Sequence, residues 1–337
     1  MSENYDENKV ILELKDLEVQ YRAGGEIVKA VNGVSFKFHE RQSLALVGET
    51  GAGKTTIAKA IMSILPDPPA KVVGGEILLE GQDMLKMKEK QLRKIRGEKI
   101  SMIFQDPMTA LSPVYTIGNQ IEEAYKEHYK VSREEAKKRT IELLNMVGIP
   151  SERYGEYPHQ FSGGMRQRVV IAIALACNPS ILIADEPTTA LDVTIQAQVL
   201  DLIYRLKEQN GTSMILITHD LGVVAENCDD VAIVYAGEIV EMGTKEHIFN
   251  ETAHPYTKGL FGALPNMANG REKLKPILGL PPNMANLPTG CKFHPRCPHA
   301  TERCSQEEPP LREISPGHSC RCFMTPGKEE GDDGKVN

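Results

Sequence analysis

Eight consecutive residues carry the clearest chemistry in the chain: Gly48-Glu49-Thr50-Gly51-Ala52-Gly53-Lys54-Thr55. Two glycines five positions apart, followed by Lys and Thr, form a phosphate-binding pattern that points to a nucleoside triphosphate. Without Cβ atoms the loop can wrap close to phosphates and aim its backbone N–H groups at them. Lys54 would contact the outer phosphates and the Thr55 hydroxyl would bind Mg²⁺. A second group, Asp185-Glu186, ends the apolar run Ile181-Leu182-Ile183-Ala184. There Asp185 can hold the Mg²⁺ shell and Glu186 can polarise an attacking water. In a third, Phe161-Ser162-Gly163-Gly164-Met165-Arg166-Gln167-Arg168, a Ser hydroxyl and two Gly amides at a helix start make a second phosphate site.

The elements around these groups are those that must position them. Ser43-Leu44-Ala45-Leu46-Val47 is apolar enough for a buried strand, and Thr56 to Met62 has helical spacing, so the glycines fall at a strand-to-helix turn whose helix adds its positive end. Residues 10 to 48 alternate apolar and polar, which predicts antiparallel strands ahead of the nucleotide strand. From Lys86 to about Tyr157 the pattern turns helical and charged, with Ser132 as the N-cap before Glu135, and predicts a helical insertion. Buried-strand runs return at Ile181 to Ala184 and Met214 to Ile217, separated by a helical stretch from Ile195 to Lys207. Strands alternating with helices indicate an α/β fold with a parallel sheet covered on both faces. A hairpin is predicted from Val231 to Met242, turning at Ala236-Gly237, and no internal repeat is present.

Composition narrows the class. With 337 residues, of which 41% are hydrophobic, the chain has material for about two domains and a real core. No apolar run reaches the ~18 residues of a membrane span. The polar, acidic start, Met1 to Asn8, predicts no secretion signal and hence a cytoplasmic location. A net charge of -7 lacks the basic footprint of a nucleic-acid binder, so nucleic acid is not expected as a partner.

Ser162-Gly163-Gly164 stands about twenty residues before Asp185-Glu186. Together with the phosphate loop it resembles the signature sequence of the ATP-binding cassette (ABC) superfamily. Leu-Ser-Gly-Gly-Gln is the commoner form there, so Phe161 and Met165 depart from it without touching the Ser-Gly-Gly core. The resemblance covers about residues 10 to 250 and implies a P-loop NTPase fold with a RecA-like core, an antiparallel β subdomain and a helical subdomain. It implies an ATPase that uses ATP and Mg²⁺, held by residues Gly48 to Thr56 of the loop and its helix. In the family pattern Tyr21 matches the aromatic that stacks on adenine. Gln105 matches the glutamine that senses Mg²⁺ and links to the membrane partner. Ala190-Leu191-Asp192 matches the loop connecting the two active sites of a dimer, and His219 the histidine near the γ-phosphate. The catalytic set so implied is Glu186, His219 and Lys54. The Ser162 to Gly164 site would close on ATP held by the opposite subunit.

Two further stretches look like dipeptide and oligopeptide importers: Gln105 to Gly118, and His254-Pro255-Tyr256-Thr257-Lys258-Gly259-Leu260, which resembles the start of their C-terminal extension. The resemblance implies a peripheral subunit on the cytoplasmic face of the membrane. Its partners would be two integral-membrane permease subunits, a paralogous ATPase and, indirectly, an extracellular peptide-binding protein. Nickel importers share much of this pattern. A soluble, non-transport ABC ATPase is the rival class, but it usually carries coiled-coil insertions or two cassettes in one chain, and neither occurs here.

Beyond the 1–253 nucleotide-binding domain, with its helical subdomain at about 86–177, the composition changes: 12 of the 21 prolines and 5 of the 7 cysteines follow His254. This predicts a separate small domain, 254–326, and a disordered tail, 327–337. Proline-rich sequence has little capacity for a core, so something must hold it. Five, six and seventeen residues separate Cys291, Cys297, Cys304 and Cys322. That spacing departs from the pairs ~2–4 residues apart usual for zinc and leans toward a [4Fe–4S] cluster, with Zn²⁺ or unligated thiols as the alternatives. The resemblance to peptide-importer extensions favours Cys322 over Cys320 as the fourth ligand. Cys177 and Cys228 read as core residues. ATP binding is expected to be indifferent to the cysteine region, because the nucleotide motifs end before residue 220.

Overall fold

The computed structural model of the protein describes residues 9–189, 191–263 and 277–325. The expected tail, 327–337, lies outside the described residues. Two long strands, β1 (Val10–Ala23) and β2 (Glu26–His39), pair antiparallel, as their alternation predicts. Next come β3 (Ser43–Val47), the phosphate loop and helix α1 (Lys54–Ile61). Strand β4 (Ala70–Leu79) then returns beside β1, with the short β5 (Gln82–Asp83) outside it. The resulting sheet runs β2-β1-β4-β5. Its apolar face, including Leu12, Leu14, Leu17 and Val19, is buried.

The chain continues through α2 (Glu89–Ile95), β6 (Ile100–Ile103), α3 (Pro107–Ala110), α4 (Ile117–His128), α5 (Arg133–Met146) and α6 (Gly163–Ala174). The insertion expected to be helical from Lys86 is interrupted by β6, which pairs in parallel with β7 (Ile181–Asp185) at the edge of the main sheet. Helix α2 buries Leu92 on the antiparallel-sheet side. The continuous helical layer therefore begins after Ile103. A four-residue apolar strand embedded in charged, helix-favouring sequence is easily absorbed into its surroundings. At α5 the Ser132 hydroxyl accepts from Glu135 N at 3.2 Å while Glu135 Oε2 accepts from Ser132 N at 2.8 Å, a reciprocal cap.

After β7 follow α7 (Val193–Asn210), β8 (Ser213–Thr218), α8 (Leu221–Asn227) and the hairpin of β9 (Asp230–Tyr235) and β10 (Glu238–Thr244). The main sheet has the order β11-β12-β10-β9-β3-β8-β7-β6, in which β9-β3-β8-β7-β6 are mutually parallel. Every residue of β3, β7 and β8 is buried. The pleat divides them between two cores: Leu44, Leu46, Ile181 and Ile183 face the antiparallel sheet, while Ala45, Val47, Leu182 and Ala184 face the helical layer. That two-sided burial is why these strands read as unbroken apolar runs.

Beyond β10 come α9 (Lys245–Asn250), α10 (Pro255–Gly262), α11 (Glu302–Gln306), β11 (Arg312–Ser315) and β12 (His318–Cys320). Where the composition predicts a separate domain, β12 adds to the main sheet by pairing with β10, and β11 pairs with β12. Phe293 is buried against Tyr235 and Tyr256, with ring centroids 5.2 and 5.4 Å away. The segment thus borrows a core from the nucleotide-binding body. Glu241 on β10 is fully buried and fastens the junction. Its carboxylate accepts from Ala253 N at 2.7 Å and His254 N at 3.0 Å, and lies 2.9 Å from His318 Nε2. Among the described residues no helix is long and apolar enough to cross a membrane.

Candidate nucleotide site

The phosphate loop leaves the carboxyl end of β3, at the centre of the main sheet, and ends in α1. Two of its glycines are required by space. A Cβ on Gly48 would stand 2.1 Å from Val234 O; one on Gly53, whose φ is +105°, would stand 2.4 Å from Ala30 O. Ala52 is buried, whereas Thr50 and Gly51 lie exposed at the loop's tip. Lys54 folds back into the loop, its Nζ donating to Gly48 O at 2.7 Å and Glu49 O at 3.0 Å. Burial lowers its pKa, opposed by the nearby carboxylates of Glu186, Asp185 and Glu49.

Parallel pairing of β7 with β8 sets Asp185 beside this loop, where the Thr55 hydroxyl donates to Asp185 Oδ1 at 3.1 Å. Burial raises the Asp185 pKa; the Thr55 hydrogen bond lowers it and the neighbouring Glu186 raises it. These two hard oxygen donors suit Mg²⁺, which is held by a few oxygen ligands together with substrate phosphates. Glu186 adopts a left-handed φ of +44°, uncommon for a residue with a side chain. Its N–H donates to Ile217 O at 2.9 Å, fixing the turn. Gln105 Nε2 and the Thr189 hydroxyl donate to Glu186 Oε2 at 2.9 and 3.1 Å, and His219 Nδ1 lies 3.7 Å from Oε1. Three side chains from three separate loops therefore surround one carboxylate. Tyr21, half-buried on β1, approaches the start of α1, with its hydroxyl 3.4 Å from Thr56 Oγ1.

The Ser162 group sits elsewhere on the chain's surface. Ser162 caps α6, its hydroxyl accepting from Met165 N at 3.4 Å. Ser162 and Gly163 are exposed, and a Cβ on Gly164 would stand 2.6 Å from Ile195 Cγ2 on α7. Asp192 caps α7, accepting from Ile195 N at 3.0 Å. Ala190 is outside the described residues.

Sequence reasoning missed three residues. Thr189 gave only a generic polar signal near Glu186. Arg296 and Tyr256 reach the phosphate loop from the C-terminal segment: Arg296 donates to both oxygens of Glu49 at 2.7 and 3.0 Å, and the Tyr256 hydroxyl accepts from Glu49 N at 3.0 Å. The expectation that the extension lies outside the nucleotide site is thereby corrected. No local pattern could have found contacts spanning 207 and 247 residues.

Cys291, Cys297, Cys304 and Cys322 line one cavity together with Phe293, His294 and Phe323. Burial pushes the Cys291 thiol up to about 11, and Cys304, Cys322 and Cys297 add to the rise against an opposing hydrogen bond from the Phe293 backbone. Cys320 is buried on β12. Burial pushes its pKa well above the ordinary thiol value, with Glu241 close by. Among the described residues no group of three or more His, Cys, Asp or Glu side chains has the arrangement needed for a metal ion.

A phosphate loop on a parallel sheet, a strand-end Asp-Glu pair and an exposed Ser-Gly-Gly helix start define an ABC-type ATPase. The ABC transporter family model matches residues 31–189, and a model of the oligopeptide/dipeptide transporter C-terminal region matches residues 240–304. The oligopeptide transport ATP-binding protein OppD of Bacillus subtilis (strain 168) is 49% identical over 93% of this chain and 88% of its own length. The dipeptide transport ATP-binding protein DppD of the same organism is 48% identical over 95% and 96%. A dimeric structure of the ATP-binding cassette MJ0796 in a post-hydrolysis state, bound to ADP and Pi, superposes with a TM-score of 0.63. It is 30% identical and covers 69% of this chain and 98% of that one. The chain belongs to the ATP-binding subunits of the oligopeptide/dipeptide ABC transporters.

Proposed function

We propose that the chain hydrolyses ATP to power import of dipeptides and oligopeptides from the cytoplasmic face of the membrane. It would work with two permease subunits and a paralogous ATPase, fed indirectly by an extracellular peptide-binding protein. One observation carries the reading: Glu186 is held by Gln105 and Thr189, with His219 Nδ1 3.7 Å away, one residue beyond Asp185, which meets the phosphate loop through Thr55. The loop amides and Lys54 bind the phosphates, and Tyr21 receives the adenine face. Thr55, Asp185 and Gln105 would hold Mg²⁺, whose charge offsets that of the phosphoryl oxygens. Glu186 orients water and takes its proton, while His219 steadies that carboxylate and the γ-phosphate. Ser162 and Gly163 face solvent and, with Gly164, would complete the site of the opposite subunit, with Asp192 close to the join. Stimulation of ATP hydrolysis by peptide-loaded binding protein in the reconstituted transporter tests this function. Stimulation by nickel instead of peptide would replace it.

Coupling to the permeases is assigned to the stretch from Gln105 to Gly118. Val114 and Tyr115 are large apolar side chains exposed there, Val114 by 71%, and Phe104 is exposed just before it. Apolar groups gathered on one exposed segment mark an interaction site. Val114→Asp and Tyr115→Asp are expected to abolish peptide uptake while leaving ATP affinity unchanged. Normal uptake by both variants would remove this segment from the interface.

For the cysteine cavity the proposed occupant is a [4Fe–4S] cluster on Cys291, Cys297, Cys304 and Cys322. Support comes from four thiols that line one cavity in a segment with little core of its own. A thiolate there needs a cation, since burial alone favours the neutral thiol. Bound iron would cross-link three parts of the extension. Protein purified without oxygen is expected to be brown, absorbing broadly near ~400 nm, with about four iron and four sulfide atoms per chain. Each of these cysteines changed to Ser should lose most of the iron, whereas Cys320→Ser should retain it. Colourless protein with one bound zinc would replace the cluster by a structural zinc site.

A further inference from the structure

Residues remote in sequence hold Glu49 by both its backbone and its side chain. Arg296 presents a two-pronged guanidinium to the carboxylate, Nη1 to Oε2 at 2.7 Å and Nη2 to Oε1 at 3.0 Å. This is the geometry that makes Arg–carboxylate pairs strong and directional. Two further N–H groups are engaged as well: Nε with Leu278 O at 3.1 Å, and Nη1 with the Tyr235 hydroxyl at 3.4 Å. The Arg296 side chain is only 5% exposed, so this fork is a built contact and not a surface pairing. Tyr256, fully buried, accepts from the Glu49 amide at 3.0 Å.

The charge arithmetic gives the pair a purpose. A phosphate loop that carries a carboxylate places negative charge beside the position its ligand's phosphates must take. Glu49 stands near Lys54: its own carbonyl accepts from Lys54 Nζ at 3.0 Å. A loose Glu49 carboxylate would compete for that ammonium and repel a polyphosphate. We propose that Arg296 sets the affinity for ATP by neutralising Glu49 and holding its carboxylate aside from the phosphates. Arg296 is thus a positioning residue of the nucleotide site, supplied by the C-terminal extension. This inference rests on the reading of residues 48–55 as the ATP site. Arg296 closes the three-residue turn His294–Arg296, immediately before Cys297, and the His294 N–H donates to Cys291 O at 3.0 Å. One turn therefore borders both the thiol cavity and the phosphate loop.

The test is equilibrium titration of the purified full-length chain with Mg·ATP, followed by steady-state kinetics in the assembled transporter. Arg296→Ala is expected to raise the ATP Kd about tenfold, the scale of an uncompensated charge several ångströms from the phosphates. In the transporter KM should rise with kcat little changed, as for lost ground-state binding. Arg296→Lys should restore part of the affinity. The double variant Arg296→Ala with Glu49→Gln should return to near the wild-type Kd, because the charge needing neutralisation is gone. A purely architectural Arg296 predicts no such rescue, so a double variant as weak as the single one overturns the proposal. Wild-type affinity in Arg296→Ala does the same. Should Arg296→Ala fail to fold, Glu49→Gln alone decides: it must bind ATP at least as tightly as wild type, and weaker binding refutes the proposal. A wild-type chain that binds no ATP at all would instead remove the site reading on which the inference stands.

Discussion

Glu186→Gln is expected to slow ATP hydrolysis by about 10²–10⁴, the size of a lost general base, while ATP binding persists. The amide has nearly the shape of the carboxylate and can still accept the hydrogen bonds from Gln105 and Thr189, now 2.9 and 3.1 Å long. The φ of +44° at this position is set by the backbone and its bond to Ile217 O, so the turn is unaffected by the exchange. What disappears is the ability to take a proton from water. Single-turnover hydrolysis measured with the partner subunits present reads that loss directly, and wild-type turnover would exclude Glu186 as the base.

Lys54→Ala should act on the earlier step, weakening ATP binding by about 10²-fold through loss of charge-assisted hydrogen bonds to phosphate. The ammonium is buried, and two loop carbonyls, Gly48 O and Glu49 O, hold it within the loop. Burial works against its charge, but the carboxylates of Glu186, Asp185 and Glu49 counter that pull. Removing the cation takes a positive charge from among those acids, and the loop becomes hostile to a polyphosphate. Equilibrium binding of a fluorescent ATP analogue measures the effect. Unaltered affinity in a folded variant would contradict the role.

Much of this site was legible because its parts are local. The phosphate loop, the Asp185-Glu186 strand end and the Ser162 cap are each written in a few neighbouring residues whose spacing imposes the geometry. The parallel strands announced themselves through runs such as Ile181 to Ala184, since both of their faces are buried. Contacts made across the fold left no such trace. Nothing near Glu49 signals that Arg296 will meet it, and Thr189 looks like any loop threonine. Strand β6 was hidden for a related reason: four residues within helix-favouring sequence carry too few alternations to declare a period. The C-terminal segment misled in the opposite sense. Its proline and cysteine content suggested a unit of its own, whereas β12 and Phe293 belong to the sheet and core of the main body.

The pairing of β12 with β10 has a practical consequence for anyone who trims the chain. Cutting after Ala253, at the expected end of the nucleotide-binding domain, would strip β10 of its outer neighbour β12 and leave unpaired backbone donors and acceptors along the sheet margin. Bare margins of this kind recruit strands from other molecules. The same cut would deprive the fully buried Glu241 of His318, exposing a carboxylate that water had never solvated. A shortened cassette would therefore face self-association before any question of catalysis arose, and the extension acts as the sheet's selvedge.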